Sequence, residues 1–155
     1  FAKKYQMSHY CIMDHLALWI TPGIGVVRIA NYINGELWGR PTNQAWGVVF
    51  PRVDGLLRHP SQLYEAFAEG LMLWCIIWLC HTKLKLTSGQ LTSIAMFAYG
   101  GLRLLIELNF RAPSFEWLSF ISTGALLCLL MMVVSIALNV RVSNLHAHYH
   151  LKQEQ

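Results

Sequence analysis

The sequence predicts an all-α, polytopic membrane protein with about four transmembrane helices and a long outer loop. Of its 155 residues, 55% are hydrophobic and only 13% are charged, whereas soluble domains carry about a quarter charged residues. Four apolar stretches approach the roughly 20 residues that a helix needs to cross the hydrocarbon core. Six Trp and six Tyr also favour a membrane, because aromatic side chains concentrate at the bilayer interfaces.

The four predicted spans differ in their polar content. The first covers about residues 11–33, reads "CIMDHLALWITPGIGVVRIANYI", and is broken by Pro22 and by small or flexible positions. The second covers about residues 63–80 and the third about residues 91–110. The fourth, about residues 117–140, holds no charge. The segment 39–62 contains three prolines and is too broken to form a helix.

We divide the chain into an N-terminal segment (1–10), a transmembrane domain (11–142) and a polar tail (143–155), with both end segments on the cytoplasmic side. The chain begins at Phe1, and "FAKK" is typical of the end of an apolar segment that two lysines stop. This pattern favours the C-terminal part of a longer protein, or a shortened relative of one. The tail is expected to be frayed.

The cations predict the orientation, because Lys and Arg near helix ends favour the cytoplasmic side. If four helices alternate, every lysine falls on one side, and Arg141 joins them. That side is predicted to be cytoplasmic, with both termini inside. The other side carries Arg40, Arg52, Arg58 and Arg111, which weaken this argument.

The sequence offers no pattern for nucleic acid, metal or a cofactor. The net charge is +4, but the basic residues are scattered through apolar segments and form no basic stripe. The His-rich tail has alternating spacing, which does not match tetrahedral zinc sites. Three of the four cysteines lie in apolar runs without CxxC spacing, as structural cysteines do. Asp14 and His15 are assigned no chemistry.

The first candidate site is the stretch "NYINGELWGR" that follows Arg28. Arg28 and Asn31 share one helix face, and Asn34 and Glu36 follow directly. A charge at the centre of a membrane helix costs about 2.5–3.5 kcal/mol on insertion scales. The pattern predicts a polar pocket near the outer interface, where Gly35 lets the backbone turn and Arg28 offers a phosphate its planar fork of donors. The alternative is an Arg–Glu pair that joins two helices.

The second candidate site is "RHPSQLYE". His59 has a side chain whose reference pKa lies near neutrality and is a candidate acid–base group. The alternative is an interfacial His that packs at a helix entrance. Ser61 is expected to cap the helix that begins there. Glu65 and Glu69 lie one turn apart, and either of them can face the bundle interior.

The third candidate site is "AYGGLRLLIELNFR". Tyr99, Arg103 and Glu107 recur at intervals of four residues and share one helix face. Arg103 and Glu107 can pair with each other, which is the structural alternative. Because Arg28 and Arg103 belong to different spans, the two are also suited to bracket an anion, and a lipid phosphate is the anion most available there.

These three motifs, in this order, resemble bacterial prolipoprotein diacylglyceryl transferases. "RIANYINGELWGR" is similar to the family signature, and "RHPSQLYE" and "YGGLRLLIE" follow at family-like positions. The resemblance covers essentially the whole chain, but only about the C-terminal half of the family. It implies a multi-pass enzyme of the bacterial inner membrane.

The implied reaction transfers the diacylglyceryl group of phosphatidylglycerol to the lipobox cysteine thiol in the signal peptide of a prolipoprotein. The partners implied are therefore phosphatidylglycerol, the prolipoprotein signal peptide and membrane lipids, and no cofactor is expected. The resemblance assigns catalytic roles to four residues: Arg28, Glu36, Arg103 and Glu107. It assigns substrate binding to six residues: Arg28, Asn31, Asn34, His59, Tyr99 and Arg103.

The chain departs from the family pattern at several positions. It has no His-Gly-Gly segment, and Val27 replaces the glycine usual before the signature arginine. Arg111 follows Glu107 by four residues rather than three, which would rotate it by about 100° if the helix continued that far. These departures leave an alternative open, namely a non-catalytic homologue that binds anionic lipid or a partner in the membrane.

Overall fold

Four long helices dominate the computed structural model, which describes residues 8–111, 116–118 and 121–153 and the side chains of residues 8–111 and 122–147. The helices are α1 (His9–Asn34), α2 (Ser61–Lys83), α3 (Gln90–Asn109) and α4 (Thr123–Gln153). Each is long and apolar enough to cross a membrane. The prediction of a four-helix polytopic membrane protein is confirmed.

Short antiparallel strand pairs occupy two of the connections. β1 (Val48–Val49) pairs with β2 (Leu57–Arg58) in the long loop between α1 and α2. β3 (Glu116–Leu118) pairs with β4 (Ile121–Ser122) directly before α4. The long loop therefore contains no helix, as predicted.

α1 runs without a break through Pro22, where the sequence predicted an interruption. Proline has no N–H, so the carbonyl of Leu18, four residues earlier, loses its normal partner. The Thr21 hydroxyl donates to that carbonyl oxygen at 3.4 Å. A neighbouring Thr is one of the groups that keep Pro tolerable in membrane helices. α1 ends at Gly35, whose φ of 71° lets its N–H bond the Asn31 and Tyr32 carbonyls.

The boundaries of α4 also differ from the prediction. The helix begins at Thr123, six residues later than expected, because the paired strands β3 and β4 precede it. The Ser122 hydroxyl then accepts a hydrogen bond from the Ala125 N–H at 3.1 Å and so caps the helix. At its other end α4 continues to Gln153, so the tail is helical rather than frayed as far as that residue.

α2 is not uniform, since its residues Ala66–Met72 form a π-helical segment between two α-helical parts. Such segments are rare in proteins, and those that occur are often found at functional sites. This one contains Glu69 and Gly70, and it begins directly after Glu65. The segment packs against α1.

Two glycines bring α1 and α2 into backbone contact. A Cβ on Gly25 would lie 3.1 Å from the Gly70 Cα, and a Cβ on Gly70 would lie 2.6 Å from the Gly25 Cα. Only glycine, whose side chain is a single hydrogen atom, fits at both positions of this crossing. Small residues serve membrane helices in this way, because they permit close packing where no hydrophobic force drives association. Gly100 plays a similar part between α3 and α4, against Cys128 and Met132.

The beginnings of α1 and α3 are joined by Asp14, to which the sequence analysis gave no role. Its carboxylate accepts hydrogen bonds from the Gly89 N–H at 2.7 Å, from the Thr92 N–H at 2.8 Å and from the Thr92 hydroxyl at 2.6 Å. These N–H groups have no partner within α3. Asp14 therefore caps α3 from a different helix.

The two ends of the bundle differ in composition. At one end, which we call the lysine end, the start of α1, the α2–α3 connection and the last part of α4 line one cavity. Lys83, Lys85 and Arg141 belong to this end, in agreement with the grouping that the sequence predicts. The other end, which we call the loop end, carries the long loop. Lys3 and Lys4 lie outside the described residues.

Replacing Gly70 by Ala is expected to lower the free energy of unfolding by about 1–3 kcal/mol, because the new methyl group would meet the α1 backbone. Thermal unfolding of the purified protein in detergent measures this change. Gly23→Ala is the matched control in α1, since a Cβ there meets nothing within 4 Å. Equal stability of the two variants would contradict the close crossing.

Candidate functional site

Six charged side chains from three helices and one helix end meet near the loop end of the bundle. We call them the charge cluster: Arg28, Glu65, Glu69, Arg103, Glu107 and Arg111. Arg28 lies six residues before the end of α1 and Arg103 six residues before the end of α3. At 1.5 Å per residue, both lie about 9 Å from the loop end.

The centre of the charge cluster is formed by two carboxylates of α2. The side chains of Glu65 and Glu69 are 0% exposed. Arg103 Nη1 lies 2.8 Å from Glu65 Oε1 and 3.0 Å from Glu69 Oε1, so that one guanidinium nitrogen bridges both groups. The Gly25–Gly70 crossing places Arg28, one turn after Gly25, against the same carboxylates. The crossing thus sets the position of the cluster.

Arg111 closes the cluster from the end of α3. The sequence analysis expected Arg111 to be rotated away if the helix continued, but α3 ends at Asn109. The chain then turns, and Arg111 Nη1 lies 2.7 Å from Glu65 Oε1 while its Nε lies 3.6 Å from Glu107 Oε2. The extra residue before Arg111 is therefore absorbed by the turn.

Glu107 is held by the start of α4 as well as by arginines. The Ser122 hydroxyl donates to Glu107 Oε1 at 2.9 Å, while Arg103 Nη2 lies 3.4 Å from Glu107 Oε2. A Cβ on Gly124 would lie 2.5 Å from Glu107 Oε1, so only glycine leaves room for the carboxylate there. Ser122 thus caps α4 and fixes Glu107 with the same hydroxyl group.

Arg28 is the least saturated member of the cluster. Its Nε lies 3.0 Å from Glu65 Oε2, but the two atoms are not aligned as a hydrogen bond, and both are buried without another partner among the described residues. Its Nη2 lies 3.5 Å from Glu69 Oε2. Arg28 and Tyr99 also line a cavity of about 540 Å³ that is otherwise walled by apolar residues of α1. Arg28 therefore lies between the charge cluster and an apolar groove.

The charges of the cluster balance, since three guanidinium groups face three carboxylates. Removing one partner of a buried ion pair typically costs 3–5 kcal/mol, because the other charge stays buried and uncompensated. Intramembrane charges of this kind face the bundle interior and mark functional sites by default. Within the described part of the chain, no group of His, Cys, Asp and Glu is placed to hold a metal ion.

The long loop is hydrogen-bonded to the start of α2 and to the residue that follows α3. The Gly39 N–H donates to the His59 carbonyl at 3.0 Å, and the Arg40 N–H donates to the Phe110 carbonyl at 2.9 Å. A Cβ on Gly39 would lie 2.5 Å from the His59 carbonyl oxygen and 2.6 Å from that of Phe110, so glycine is required between them. Ser61, which the sequence predicted as a cap, instead donates its hydroxyl to the Leu37 carbonyl. The loop is thereby anchored to both neighbouring helices.

Three residues of the signature lie outside the charge cluster. Asn31 contributes its carbonyl, which accepts the Glu36 N–H at 2.9 Å. Asn34 lines a separate cavity of about 410 Å³ together with Arg52 and Tyr32. The Glu36 side chain is exposed, and its backbone carbonyl accepts a hydrogen bond from the Gln62 amide. Among the described residues, the Glu36 carboxylate forms no ion pair.

His59 lies in an aromatic group at the entrance of α2. Its Nδ1 is 3.2 Å from the Tyr64 hydroxyl, and its ring packs edge-on against Phe110 at 5.2 Å between centroids. The Tyr64 hydroxyl also accepts a hydrogen bond from Trp46 Nε1 at 2.9 Å. This environment matches the packing alternative for His59, since its side chain contacts Tyr64 and Phe110.

Several residues of the site had no assigned role in the sequence analysis. Glu65 and Glu69 were recognised as carboxylates one turn apart, either of which can face the bundle interior, but they received no role, although two carboxylates in an apolar span were a usable signal. Arg111 was expected to be rotated away only if α3 continued that far. Ser122 and Gly124 gave no signal, because their roles depend on where α4 packs against Glu107.

Fold and site together define a polytopic helical membrane protein with a balanced, buried charge cluster beside an apolar groove. The sequence profile described as prolipoprotein diacylglyceryl transferase matches residues 1–141. The chain belongs to the prolipoprotein diacylglyceryl transferase family.

Individual relatives carry the name phosphatidylglycerol–prolipoprotein diacylglyceryl transferase. The protein of Nitrosomonas europaea is 45% identical over 88% of this chain and 50% of its own length. That of Methylobacillus flagellatus is 38% identical over 88% of this chain and 52% of its own length. That of the Wolbachia of Brugia malayi is 38% identical over 97% and 58%, respectively. The chain spans about half the length of the curated relatives it matches.

Replacing Ser122 by Ala is expected to lower the free energy of unfolding by about 0.5–2 kcal/mol, the usual cost of a lost helix cap. The loss should lie toward the upper end, because Glu107 loses a donor too. Denaturant unfolding in detergent measures it. Ser122→Thr keeps the hydroxyl and should stay close to the parent. An Ala variant as stable as the Thr variant would contradict the contact.

The ion pair of Asp54 with Arg58 gives the loop a pH dependence. Arg58 hydrogen-bonds the carboxyl and holds the pKa of Asp54 below its usual value. A depressed pKa in the folded state stabilises the loop above about pH 4, the ordinary range of Asp, and this contribution is lost as pH falls further. Arg58 also lies 4.3 Å from the Trp38 ring centroid.

We therefore expect amide hydrogen exchange in residues 54–58 to accelerate on acidification below about pH 4, after correction for the intrinsic exchange rate. Asp54→Asn should show the faster exchange already at neutral pH, with little further change in acid. If parent and variant respond alike to acid, Asp54 is not the responsible group.

Proposed function

We propose that this chain provides the phosphate-binding part of an enzyme that transfers a diacylglyceryl group from phosphatidylglycerol to the lipobox cysteine thiol of a prolipoprotein. The relatives named above carry this activity in their names. The observation that supports it within this chain is Arg28, which belongs to the charge cluster and also lines an apolar groove. Such a position suits a substrate that joins a phosphate to acyl chains.

The reaction requires charge stabilisation at the phosphate. The cysteine sulfur bonds to the glyceryl carbon next to the phosphate, and the carbon–oxygen bond breaks. The electron pair leaves with glycerol phosphate, and the thiol proton passes to a base. Fixed guanidinium donors in a water-poor site stabilise the departing anion strongly. Arg28 supplies this charge at the edge of the groove while Glu65 and Glu69 hold it in place, and Arg103 is held by the same carboxylates.

The carboxylates of the cluster hold the arginines in place. In this proposal Glu65 and Glu69 keep Arg28 and Arg103 at a fixed distance, so that little reorganisation accompanies the reaction. Glu107 is held by Ser122 and Arg103 and lines the same site. Tyr99, beside Arg28 in the groove, contacts the substrate near its headgroup.

Asn31, Asn34, Glu36 and His59 remain candidate site residues through the family signature. Asn34 and Glu36 lie at the loop end, where a prolipoprotein would approach the membrane surface. His59 acts by packing the loop against α2 and α3. We further propose the bacterial inner membrane as the location, with the lysine end in the cytoplasm, since the lysines cluster there.

The direct test is transfer from labelled phosphatidylglycerol to a lipobox peptide by a chimera. In it, residues 1–141 replace the matched half of the Nitrosomonas europaea relative. The chimera should be active, and Arg28→Ala and Arg103→Ala should each lower its rate by about 100-fold or more, the usual effect of removing one such donor.

Arg141→Ala is the control, because this arginine is exposed near the lysine end and outside the charge cluster. Circular dichroism and thermal unfolding check that the variants fold. An inactive but folded chimera, or full activity without Arg28, would contradict the proposal.

A further inference from the structure

A cavity of about 590 Å³ lies at the lysine end, far from the charge cluster. It is walled by the start of α1, the α2–α3 connection and α4, through Tyr10, Lys85, Ser88, Val142 and Leu145 among others. The start of α3 lies beside it, 13 residues before Arg103. At 1.5 Å per residue, the two sites are about 20 Å apart along the bundle.

The polar part of the lining combines Lys85 and His146 with the hydroxyl groups of Tyr10, Thr87 and Ser88. Leu86, Val142 and Leu145 complete the lining. The Thr87 hydroxyl is buried and has no hydrogen-bond partner among the described residues. A buried hydroxyl normally has one. A phosphate oxygen in the cavity would supply the missing acceptor after a small rotation of that side chain.

The electrostatics favour an anion. Within the described part of the chain, the lining residues include no Asp or Glu. Asp14, the nearby carboxylate, already accepts three hydrogen bonds at the start of α3, which disperses its charge. Arg141 lines a neighbouring cavity of about 550 Å³ and adds a second cation.

That neighbouring cavity supplies the apolar half of a lipid site. It lies on the surface of α4 and is lined by Ala137, Val140, Arg141, Asn144 and Leu145. Leu145 lines both cavities, so the two are adjacent. A headgroup at Lys85 and an acyl chain along α4 would fill the two together. Soluble phosphate would use only the first.

We propose that this pair of cavities is a second lipid site, which binds the phosphate of an anionic glycerophospholipid at Lys85 and one acyl chain along α4. The occupant stabilises the lysine end and is not a substrate. The inference does not rest on the transferase reaction, because it concerns the opposite end of the bundle and its test measures no transfer.

The test compares two lysines of the same protein. The purified chain is placed in nanodiscs of dioleoyl phosphatidylcholine, with or without dioleoyl phosphatidylglycerol, and acetylated briefly, and each lysine is quantified by mass spectrometry. Lys83, at the end of α2, does not line the cavity. The ratio of Lys85 to Lys83 acetylation should fall severalfold with phosphatidylglycerol. A general surface charge would slow both lysines alike, leave the ratio unchanged and overturn the proposal.

Variants test the same point by native mass spectrometry, with phosphatidylglycerol and phosphatidylcholine as probes. Lys85→Gln should weaken phosphatidylglycerol retention about fivefold, the typical effect of one lysine at an anionic surface. Lys83→Gln has the same net charge as Lys85→Gln and should retain phosphatidylglycerol as the parent protein does. Leu145→Trp should weaken retention without any charge change, since it narrows the junction of the cavities.

Two further results would overturn the site. One is equal loss in Lys83→Gln and Lys85→Gln. The other is release of the lipid by soluble glycerol phosphate, which would show that the acyl groove adds nothing. Circular dichroism confirms that each variant is folded. Because Arg28 and Arg103 are unchanged throughout, failure here leaves the proposed transferase function intact.

Discussion

The packing of the helices depends on two buried carboxylates, Glu65 and Glu69. They lie on a helix long and apolar enough to cross a membrane and are shielded from solvent completely. An uncompensated charge in such a place is strongly destabilising. Cations must therefore come from neighbouring segments, and they come from α1, from α3 and from the turn after α3. The helices are held together by this requirement for neutrality as much as by apolar packing.

Close backbone contact between the helices brings the opposite charges within ion-pair distance. Gly25 and Gly70 let α1 and α2 approach until their backbones touch, and Gly124 leaves space for the Glu107 carboxylate. The π-helical segment of α2 contains Glu69 and Gly70 side by side, so the same widened turn supplies both a charge and a crossing point. The small residues thus allow the helices to approach closely, and this approach lets the charged residues form ion pairs.

The sequence was sufficient for the spans and for part of the site. Four apolar stretches predicted four helices, and the intramembrane positions of Arg28, Arg103 and Glu107 marked them as special. The boundaries were less predictable, because Thr21 repairs the defect at Pro22 and a strand pair delays α4. The position of Arg111 could be given only on the condition that α3 continued, because it depends on where that helix ends. Ser122 and Gly124 matter only through a contact between distant segments, which local pattern does not record.

The repair at Pro22 has a mechanical meaning. Because the Thr21 hydroxyl donates a hydrogen bond to the Leu18 carbonyl, α1 is one uninterrupted helix from the lysine end to the loop end. Asp14 and Arg28 are fixed on this helix about 21 Å apart. Asp14 binds the beginning of α3, and Arg28 shares the carboxylates of Glu65 and Glu69 with Arg103 near the other end of α3. Because α1 and α3 are linked at both ends, one helix cannot tilt relative to the other without breaking one of these two sets of contacts.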